Sequence, residues 1–278
     1  MNRKMFDRIA VVAIAGALVF GATAHADLIH HWTMEEGTGT TTADAVGTAN
    51  GTFSESGVTW ETTDLPSFVQ GGTTAATAFD GQSGTRITMN GFEGITGTGA
   101  RTVAFWMNAA EVQVLDAATM VSWGTTGTSS GTRFDVRTNN DGSAGTVNAL
   151  RLEVTGGYIT GSTVLTDDQW RHVAVTWESG GVHDAKLYIN GILEDNVTQS
   201  GTNRIINTGS AGDFRLGDSI RTGESREFTG LMDDVRLYDR ALSASEIQAL
   251  VVPEPGSWLL LMSALACGLL VRRRRGKE

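Results

Sequence analysis

The sequence is poor in the residues that make covalent links and zinc sites. Its one cysteine, Cys267, lies in a hydrophobic segment near the C-terminus, so residues 27–252 have neither a disulfide nor thiolate chemistry. The histidines beyond residue 26 have no spacing that brings three zinc ligands together. These are His30, His31, His172 and His183. Their placement argues against a zinc enzyme.

Basic residues are also scarce between the two ends of the chain. Residues 27–252 contain 13 basic and 28 acidic side chains, a net charge of −15, and Lys186 is the only lysine among them. A domain this acidic will not attract nucleic acid or anionic lipid through its overall charge. The charge suits divalent cations and neutral sugars, and solubility alone also explains it.

The N-terminus has the pattern of a secretion signal. A basic start precedes an apolar stretch over residues 9–20, and Ala24-His25-Ala26 supplies an A-x-A cleavage pattern. The basic residues are Arg3, Lys4 and Arg8. A buried first helix is the alternative interpretation. The pattern predicts a signal peptide over residues 1–26 and a mature chain that starts at Asp27.

The C-terminus has three parts in a fixed order. A Pro253-Glu254-Pro255 triplet cannot continue a helix, residues 258–271 are apolar apart from Ser263, and arginines follow at once. The arginines are Arg272, Arg273, Arg274 and Arg275. The apolar segment spans roughly 20 Å as a helix, which is short for a bilayer core of about 30 Å.

This tail, residues 253–278, resembles the PEP-CTERM sorting signal. The resemblance implies a short transmembrane helix that holds the protein in the membrane until an exosortase-type enzyme removes the tail near the triplet. It also implies a bacterium that makes extracellular polysaccharide. An ordinary single-pass anchor is the alternative, and both interpretations predict export to the cell envelope, surface or matrix.

Between the ends, short alternating apolar runs recur between Gly, Asn and Asp clusters, which is typical of an all-β sandwich. Asn139-Asn140-Asp141-Gly142 and Asn190-Gly191 predict hairpins. Ser243 and Glu246 form a capping box that predicts a helix over residues 244–251. The clearest predicted strands are Leu28–Met34, Arg101–Met107, Thr132–Arg137, Ala149–Val154, Trp170–Trp177, Ala185–Ile189 and Leu231–Tyr238.

Residues 27–252 resemble the laminin G-like jelly roll of the concanavalin A-like lectin and glucanase superfamily. The blocks that carry the resemblance are His31–Thr40, Ala78–Gly81, Thr102–Met107, Trp170–Trp177, Lys186–Gly191 and Gly230–Ser243. The resemblance implies a two-sheet antiparallel sandwich with one short C-terminal helix. It does not fix a function, since this fold carries lectins, adhesion modules and hydrolases.

The same resemblance implies a structural calcium ion that joins the N-terminal segment to the C-terminal strand. Matched residue by residue, the ligands are Glu35, the carbonyl of Gly37, Asp44, Asn50 and Asp233. Oxygen ligands of this kind suit calcium. The loop at 44–51 departs from the family pattern by lacking some Asn and Ser residues, and solvated turn carboxylates are the alternative.

Sugar binding requires exposed aromatic rings and polar groups that read hydroxyls. Trp60 and Trp123 lie beside predicted loops and are the candidates for exposure, whereas most of the other tryptophans lie on strands and are expected in the core. Arg133, Asp135 and Arg137 alternate with apolar residues and line one face of a strand. The alternative for that face is a set of ion pairs.

A glycoside hydrolase would need paired carboxylates on one strand face, and the sequence has no Glu-x-Asp-x-x-Glu spacing. The pairs Glu35-Glu36 and Asp233-Asp234 are adjacent, so alternation predicts that their members point to opposite faces. We therefore expect a non-catalytic surface module that binds glycan or another matrix polymer. A purely structural envelope or biofilm protein is the second hypothesis, and a hydrolase is the third.

Overall fold

The computed structural model describes residues 28–66, 69, 72–109, 117–125, 127, 129–221, 223 and 226–251. The described residues form seventeen β-strands and one α-helix. The first nine strands are β1 (Leu28–Trp32), β2 (Thr41–Thr42), β3 (Gly51–Phe53), β4 (Val58–Glu61), β5 (Ala76–Asp80), β6 (Ile87–Met89), β7 (Arg101–Asn108), β8 (Thr119–Gly124) and β9 (Arg133–Thr138). The others are β10 (Ala149–Val154), β11 (Gly157–Val164), β12 (Arg171–Trp177), β13 (Lys186–Ile189), β14 (Ile192–Leu193), β15 (Thr198–Gly201), β16 (Phe214–Leu216) and β17 (Thr229–Tyr238), followed by helix α1 (Ala244–Val251).

The strands form two antiparallel sheets. An eight-stranded sheet has the order β14-β13-β12-β7-β17-β5-β4, and β1 also pairs with β17. A nine-stranded sheet has the order β15-β11-β10-β9-β8-β16-β6-β3-β2. One continuous hydrophobic core takes side chains from both sheets. The predicted all-β, two-sheet jelly-roll sandwich is confirmed.

Side-chain alternation along the strands decides which residues enter this core. In β12, Val173, Val175 and Trp177 belong to the core, and His172 lies on the other side of the strand. This is the alternation that the sequence predicts for a half-buried strand. Each of the seven predicted strands is present, with ends that differ by at most two residues.

Aromatic side chains fill the centre of the sandwich. Trp32, Trp123 and Trp177 are at most 1% exposed. The ring of Trp123 stacks on Phe134 at 4.3 Å and on Phe214 at 5.3 Å between centroids. Offset stacking of this kind adds to the free energy of burying the rings.

A buried arginine closes one end of the core. Arg101, at the start of β7, is 0% exposed and lies over the rings of Trp123, Phe134 and Trp177. Its guanidinium donates to the carbonyls of three loop residues and to a hydroxyl, at 2.8–3.0 Å. The acceptors are Gly99, Ile95, Gly97 and the Oγ1 of Thr208. Burial lowers the pKa of Arg101 to about 10.

The two predicted hairpins differ in form. Asn190 and Gly191 have φ angles of +51° and +78° and connect β13 directly to β14, as a tight turn requires. The β9–β10 connection is longer and runs from Thr138 to Ala149. The Asn139 side chain holds this loop together by donating to the carbonyls of Asp141, Gly145 and Thr146. The predicted hairpin is present there, but its loop extends well beyond Gly142.

Helix α1 has the predicted bounds and the predicted cap. The Ser243 N–H donates to Glu246 at 2.8 Å, and the Glu246 N–H donates to the Ser243 hydroxyl at 3.3 Å. Leu242 and Ile247 pack in a second, smaller hydrophobic cluster against the outer side of the eight-stranded sheet. The helix therefore covers part of that sheet.

Strand β17 is irregular at Asp233 and Asp234. The register with β7 shifts between Asp233 and Arg236, and Asp234 has a φ of +50°. A bulge of this kind breaks side-chain alternation. The bulge therefore removes the basis of the expectation that the adjacent carboxylates point to opposite faces, and both side chains are buried.

The two ends of the chain lie outside the described residues. These ends include the predicted signal peptide over residues 1–26 and the predicted sorting segment over residues 253–278. In the described part of the chain, no helix combines the length and the apolar character that crossing a membrane requires.

Candidate functional site

Six arginines gather on or beside the outer side of the nine-stranded sheet, the side turned away from the core. We call this surface the arginine face. It holds half of the twelve arginines of residues 27–252. They are Arg86, Arg133, Arg137, Arg151, Arg215 and Arg226, and ion pairs connect them to carboxylates of the same face.

Strand register builds this face from segments that are distant in the sequence. Residues that lie directly opposite one another form a polar row across seven strands, β3, β6, β16, β8, β9, β10 and β11. The row consists of Thr52, Thr88, Arg215, Ser122, Asp135, Glu153 and Tyr158. Their core-side neighbours are apolar, so the row is the polar side of amphipathic strands.

One half of the face, on β9 and β10, is buried. Arg133, Asp135 and Arg137 are at most 3% exposed. Glu153 accepts from Arg137 Nη2 at 2.5 Å and lies 2.7 Å from Arg151 Nη2. We call this the covered half. The sequence-based alternation of the three β9 residues is confirmed, but they form ion pairs and are not exposed.

Charge stabilises the carboxylate at the centre of the covered half. Burial opposes the ionisation of Glu153, but the positive charges of Arg137, Arg151 and Arg226 outweigh it and lower the pKa of Glu153 to about 2. Burial lowers the pKa of Arg151 to about 10, and the charge of Arg137 adds to that effect. Arg151 also stacks over the ring of Tyr158, at 3.3 Å from the ring centroid.

A loop between β16 and β17 crosses the covered half. The Ser219 hydroxyl donates to Asp135 Oδ2 at 3.2 Å, and the Ile220 N–H donates to the Ser122 hydroxyl at 3.0 Å. Ser122 in turn donates to Asp135 Oδ1 at 2.6 Å. The loop thus buries Asp135 completely and keeps it paired.

The other half of the face, on β3, β6 and β16, reaches solvent, and we call it the open half. The side chains of Arg86 and Arg215 are 37% and 27% exposed, and both approach Asp218, at 3.9 Å and 3.5 Å. Thr52 and Asn90 are exposed, and Asn90 donates to Thr52 at 3.2 Å. The open half therefore combines guanidinium, amide and hydroxyl groups.

Asp218 is the acidic group at the border of the two halves. Burial, together with the negative charge of Glu227, raises the pKa of Asp218 to about 6. Its two arginine contacts exceed the 2.7–2.9 Å expected for a charge-assisted hydrogen bond. Asp218 therefore neutralises the positive charge of the two guanidinium groups only in part.

A separate acidic pair lies near the bulge of β17. Glu35 Oε2 accepts from the N–H and the hydroxyl of Thr74, both at 2.6 Å, whereas Glu35 Oε1 and Asp233 Oδ2 are buried without a hydrogen-bond partner. Burial, together with the negative charges of Asp234 and Glu35, raises the pKa of Asp233 to about 8. Two of the five predicted calcium ligands are thus brought together.

The predicted ligands of the 44–51 loop, Asp44 and Asn50, already accept hydrogen bonds from that loop and from the neighbouring strand β1. Asp44 accepts from His30 Nδ1 at 2.5 Å and from the N–H groups of His31, Gly47 and Ala49. Asn50 Oδ1 accepts from the Asp44 N–H at 2.9 Å. Among the described residues, no group of three or more His, Cys, Asp and Glu side chains is arranged to hold a metal ion.

The two tryptophans chosen as candidates for exposure have different surroundings. Trp123 is 0% exposed in the core, so the expectation that it lies on the surface is wrong. Its indole N–H donates to the Ile95 carbonyl at 3.0 Å. Trp60 is half-buried, packs against Phe53 at 5.1 Å and donates to the Gly39 carbonyl. Trp123 lies on β8 but points into the core, and Trp60 lies on β4 of the opposite sheet, so neither side chain belongs to the arginine face.

The sequence-based selection missed Arg86, Arg215 and Glu153. Arg215 stands between Phe214 and Leu216, so the alternation that selected the β9 residues also marks it. Its pairing with Arg86 and Asp218 depends on strand order, which the sequence does not reveal.

The sequence matches two known protein families. Residues 79–248 match the family described as the concanavalin A-like lectin/glucanases superfamily. Residues 251–275 match the PEP-CTERM protein-sorting motif.

Solved structures share the fold at low sequence identity. One is domain 4 of AbnA, a GH43 extracellular arabinanase from Geobacillus stearothermophilus in complex with arabinotriose, at a TM-score of 0.57 and 19% identity over 81% of this chain and 98% of that chain. Another is the binding domain of botulinum neurotoxin serotype G, at a TM-score of 0.50 and 13% identity. That match covers 81% of this chain and 50% of that chain.

A curated rat protein is similar over a limited region. It is the sushi, von Willebrand factor type A, EGF and pentraxin domain-containing protein 1 of Rattus norvegicus, 29% identical over 157 residues. The match covers 54% of this chain and 4% of the rat protein.

Proposed function

Because this chain belongs to the concanavalin A-like lectin/glucanase superfamily and carries a PEP-CTERM sorting motif, we propose that it is an exported surface protein that binds an extracellular glycan. The binding surface in this proposal is the open half of the arginine face. The sandwich acts there as a rigid platform, and loops at its rim complete the contact.

The observation that carries the proposal is the chemistry of the open half. Arg86, Arg215, Asn90, Thr88 and Thr52 present donors and hydroxyl groups on the outer side of one sheet, in reach of solvent. Saccharide hydroxyl groups are read by such convergent polar side chains. The AbnA domain, solved with arabinotriose, supports the proposal as a relative by fold.

The C-terminal sorting motif bears on how the protein is exported and processed. A PEP-CTERM motif implies processing by an exosortase-type enzyme, so we propose that the hydrophobic segment holds the chain in the membrane before cleavage. After cleavage, the partners in this proposal are extracellular polysaccharide or envelope proteins at the cell surface or in a biofilm matrix. The net charge of −15 over residues 27–252 disfavours nucleic acid as a partner.

A glycoside hydrolase is the catalytic alternative, because enzymes and binding domains share this fold. Asp135 and Glu153 are opposite neighbours on β9 and β10, a carboxylate pair that the sequence did not reveal. A general acid must carry its proton near the working pH. With a pKa of about 2, Glu153 has lost its proton at neutral pH, which supports the non-catalytic proposal.

A purely structural matrix protein is the other alternative. The covered half favours this structural alternative, because the side chains of the covered half and the Ser219 loop fill that part of the surface. The exposed side chains of the open half favour binding.

The binding proposal predicts a measurable effect at Arg215. The full chain, purified in mild detergent, is expected to bind at least one extracellular polysaccharide on a glycan array. Arg215→Ala is expected to weaken that binding about ten-fold or more, since a hydrogen bond from a charged donor contributes about 1.5–3 kcal/mol.

The matched control for this experiment is Arg171→Ala, an arginine on β12 of the opposite sheet. It should bind like wild type. Absence of wild-type binding would favour the structural alternative. Turnover of the bound polymer that Asp218→Asn abolishes would favour a hydrolase, because the raised pKa of Asp218, about 6, suits a general acid.

We also propose that a calcium ion joins Glu35 to Asp233, as the family resemblance implies. The two carboxylates fit such an ion, because each has a buried oxygen without a hydrogen-bond partner. Asp44 and Asn50 fit less well, since loop N–H groups occupy their oxygens. Calcium would supply two positive charges between the N-terminal segment and β17.

This proposal predicts a calcium-dependent melting temperature. At calcium a hundred times above its dissociation constant, the stabilisation is about 2.7 kcal/mol, which is roughly 5–10 °C for a domain of this size. Asp233→Asn is expected to abolish the response while matching or exceeding the stability of wild type in chelator. Without calcium, the raised pKa means that the Asp233 carboxyl group must take up a proton to be buried, and asparagine avoids that cost. Equal wild-type melting temperatures in calcium and in chelator would exclude the site.

A further inference from the structure

The two guanidinium groups of the open half are only loosely paired with a carboxylate. Arg215 Nη1 and Arg86 Nη1 also donate to the carbonyls of Ser219 and Gly84, each at 3.2 Å. Arg215 Nη1 and Arg86 Nη1 lie 3.5 Å and 3.9 Å from the same carboxylate oxygen of Asp218. In the covered half, by contrast, Arg133 and Arg137 contact their carboxylates at 2.5–2.9 Å. One carboxylate thus faces two guanidinium groups without binding either tightly.

The other acids near the open half already have partners. Asp213 accepts from the Gly91 N–H at 3.1 Å, and Glu227 accepts from the Gly84 N–H at 2.9 Å. The Nε–H of Arg215 is buried and has no acceptor within the described part of the chain. The guanidinium group of Arg215 therefore keeps an N–H donor that no described residue uses.

The position of these arginines is notable in a domain with a net charge of −15. A domain with this charge repels polyanions at long range, yet six of its twelve arginines are collected on one face. The planar guanidinium group matches the geometry of a carboxylate, and Arg is favoured wherever carboxylates are bound through two parallel hydrogen bonds.

We propose that the glycan bound by the open half is acidic, with the carboxylate of a uronic acid unit seated between Arg86 and Arg215. This inference rests on the proposed glycan-binding function and names the class of its ligand. Asp218 competes with the ligand carboxylate for the same two guanidinium groups. Thr52, Thr88 and Asn90 lie beside them and contact sugar hydroxyl groups.

The test compares acidic sugars with neutral counterparts of the same backbone. Oligomers of galacturonate, mannuronate and guluronate are titrated into the full chain by calorimetry, each beside its methyl-esterified or carboxyl-reduced form. At least one acid form is expected to bind ten-fold or more tightly than its neutral counterpart. The preference should shrink as salt is raised, because salt screens exposed charges.

Three variants locate the binding. Arg86→Gln and Arg215→Gln are each expected to lower affinity for the acid form about ten-fold while changing affinity for the neutral form less. Asp218→Asn is expected to raise affinity for the acid form several-fold, an increase that a misfolded variant cannot produce.

Each outcome of this test has a defined meaning. Equal binding of acid and neutral forms overturns the acidic ligand and leaves glycan binding in place. Binding of other polysaccharides without any uronate oligomer has the same meaning. An unchanged or lower affinity in Asp218→Asn overturns the assigned seat, and an absence of binding to every glycan overturns the proposed function as well.

Discussion

Arg101→Met is expected to lower the free energy of unfolding by about 3 kcal/mol, because it removes every donor that Arg101 supplies inside the core. The side chain is 0% exposed, and its guanidinium binds three loop carbonyls and the Thr208 hydroxyl. The Ile95 and Gly97 carbonyls keep donors from Trp123 and Thr208, but the Gly99 carbonyl loses the Arg101 donor. A buried acceptor left without a donor costs about 1–3 kcal/mol. Contacts between the cation and three aromatic rings are lost as well.

Chemical unfolding followed by tryptophan fluorescence measures this change in free energy. In thermal unfolding, the melting temperature should fall by roughly 6–12 °C, given about 2–4 °C per kcal/mol for a domain of this size. Arg171→Met is the control, because its pairing with Asp167 is at the surface and contributes at most about 1 kcal/mol. Equal stability of the two variants would contradict the role of Arg101.

Arg101→Lys refines this test. Lysine keeps the positive charge but lacks the planar set of five donors that reaches four acceptors at once. We therefore expect Arg101→Lys to remain clearly less stable than wild type. Full recovery of stability would mean that charge alone, and not the hydrogen bonds, explains the arginine.

Glu153→Gln is expected to destabilise the fold by about 3–5 kcal/mol. The substitution leaves Arg137 and Arg151 buried without the carboxylate that compensates them, and breaking a buried ion pair from one side typically costs this much. The control is Glu178→Gln, an exposed glutamate just after β12, which should change stability by less than about 0.5 kcal/mol.

The effect of Glu153 should depend on pH in a defined direction. Its pKa is about 2 in the folded protein and 4.5 in the unfolded chain, so it stabilises the fold above pH 4.5. That contribution is lost as pH falls from 4.5 towards 2. Urea unfolding at pH 7, 5 and 3 should therefore show the difference between wild type and variant shrinking at pH 3, and a constant difference would contradict the assignment.

The fold was accessible from sequence because its signals are local. Period-two alternation in β12, the Asn190-Gly191 turn and the Ser243–Glu246 cap each act within a few residues, and each is present as predicted. The bulge at Asp233 and Asp234 was missed, although the core residues Met232 and Val235 are three positions apart, which breaks the period of two.

The candidate site was only partly accessible, because its surroundings come from distant segments. Alternation correctly placed Arg133, Asp135 and Arg137 on one face. The burial of Asp135 depends on the Ser219 loop, more than eighty residues further along the chain. Trp123 was misplaced for a related reason, since closeness to a loop in sequence does not prevent a side chain from pointing into the core.

The structure brings some of the predicted calcium ligands together and occupies others with local hydrogen bonds. Glu35 and Asp233 meet through the pairing of the N-terminal strand with β17, and the family resemblance anticipates that contact. Asp44 instead serves the N–H groups of its own loop and the ring of His30. The identity of a residue does not show whether its oxygens are already occupied.

The order of strands in the eight-stranded sheet also constrains how the protein is made. Strand β17, the last strand among the described residues, lies between β7 and β5 and pairs with β1 as well. Until β17 is available, the sheet has a gap at its centre with two open edges, and such edges invite aggregation. The sandwich can therefore close only after the polypeptide has been made as far as Tyr238, so the first sixteen strands wait for the last one.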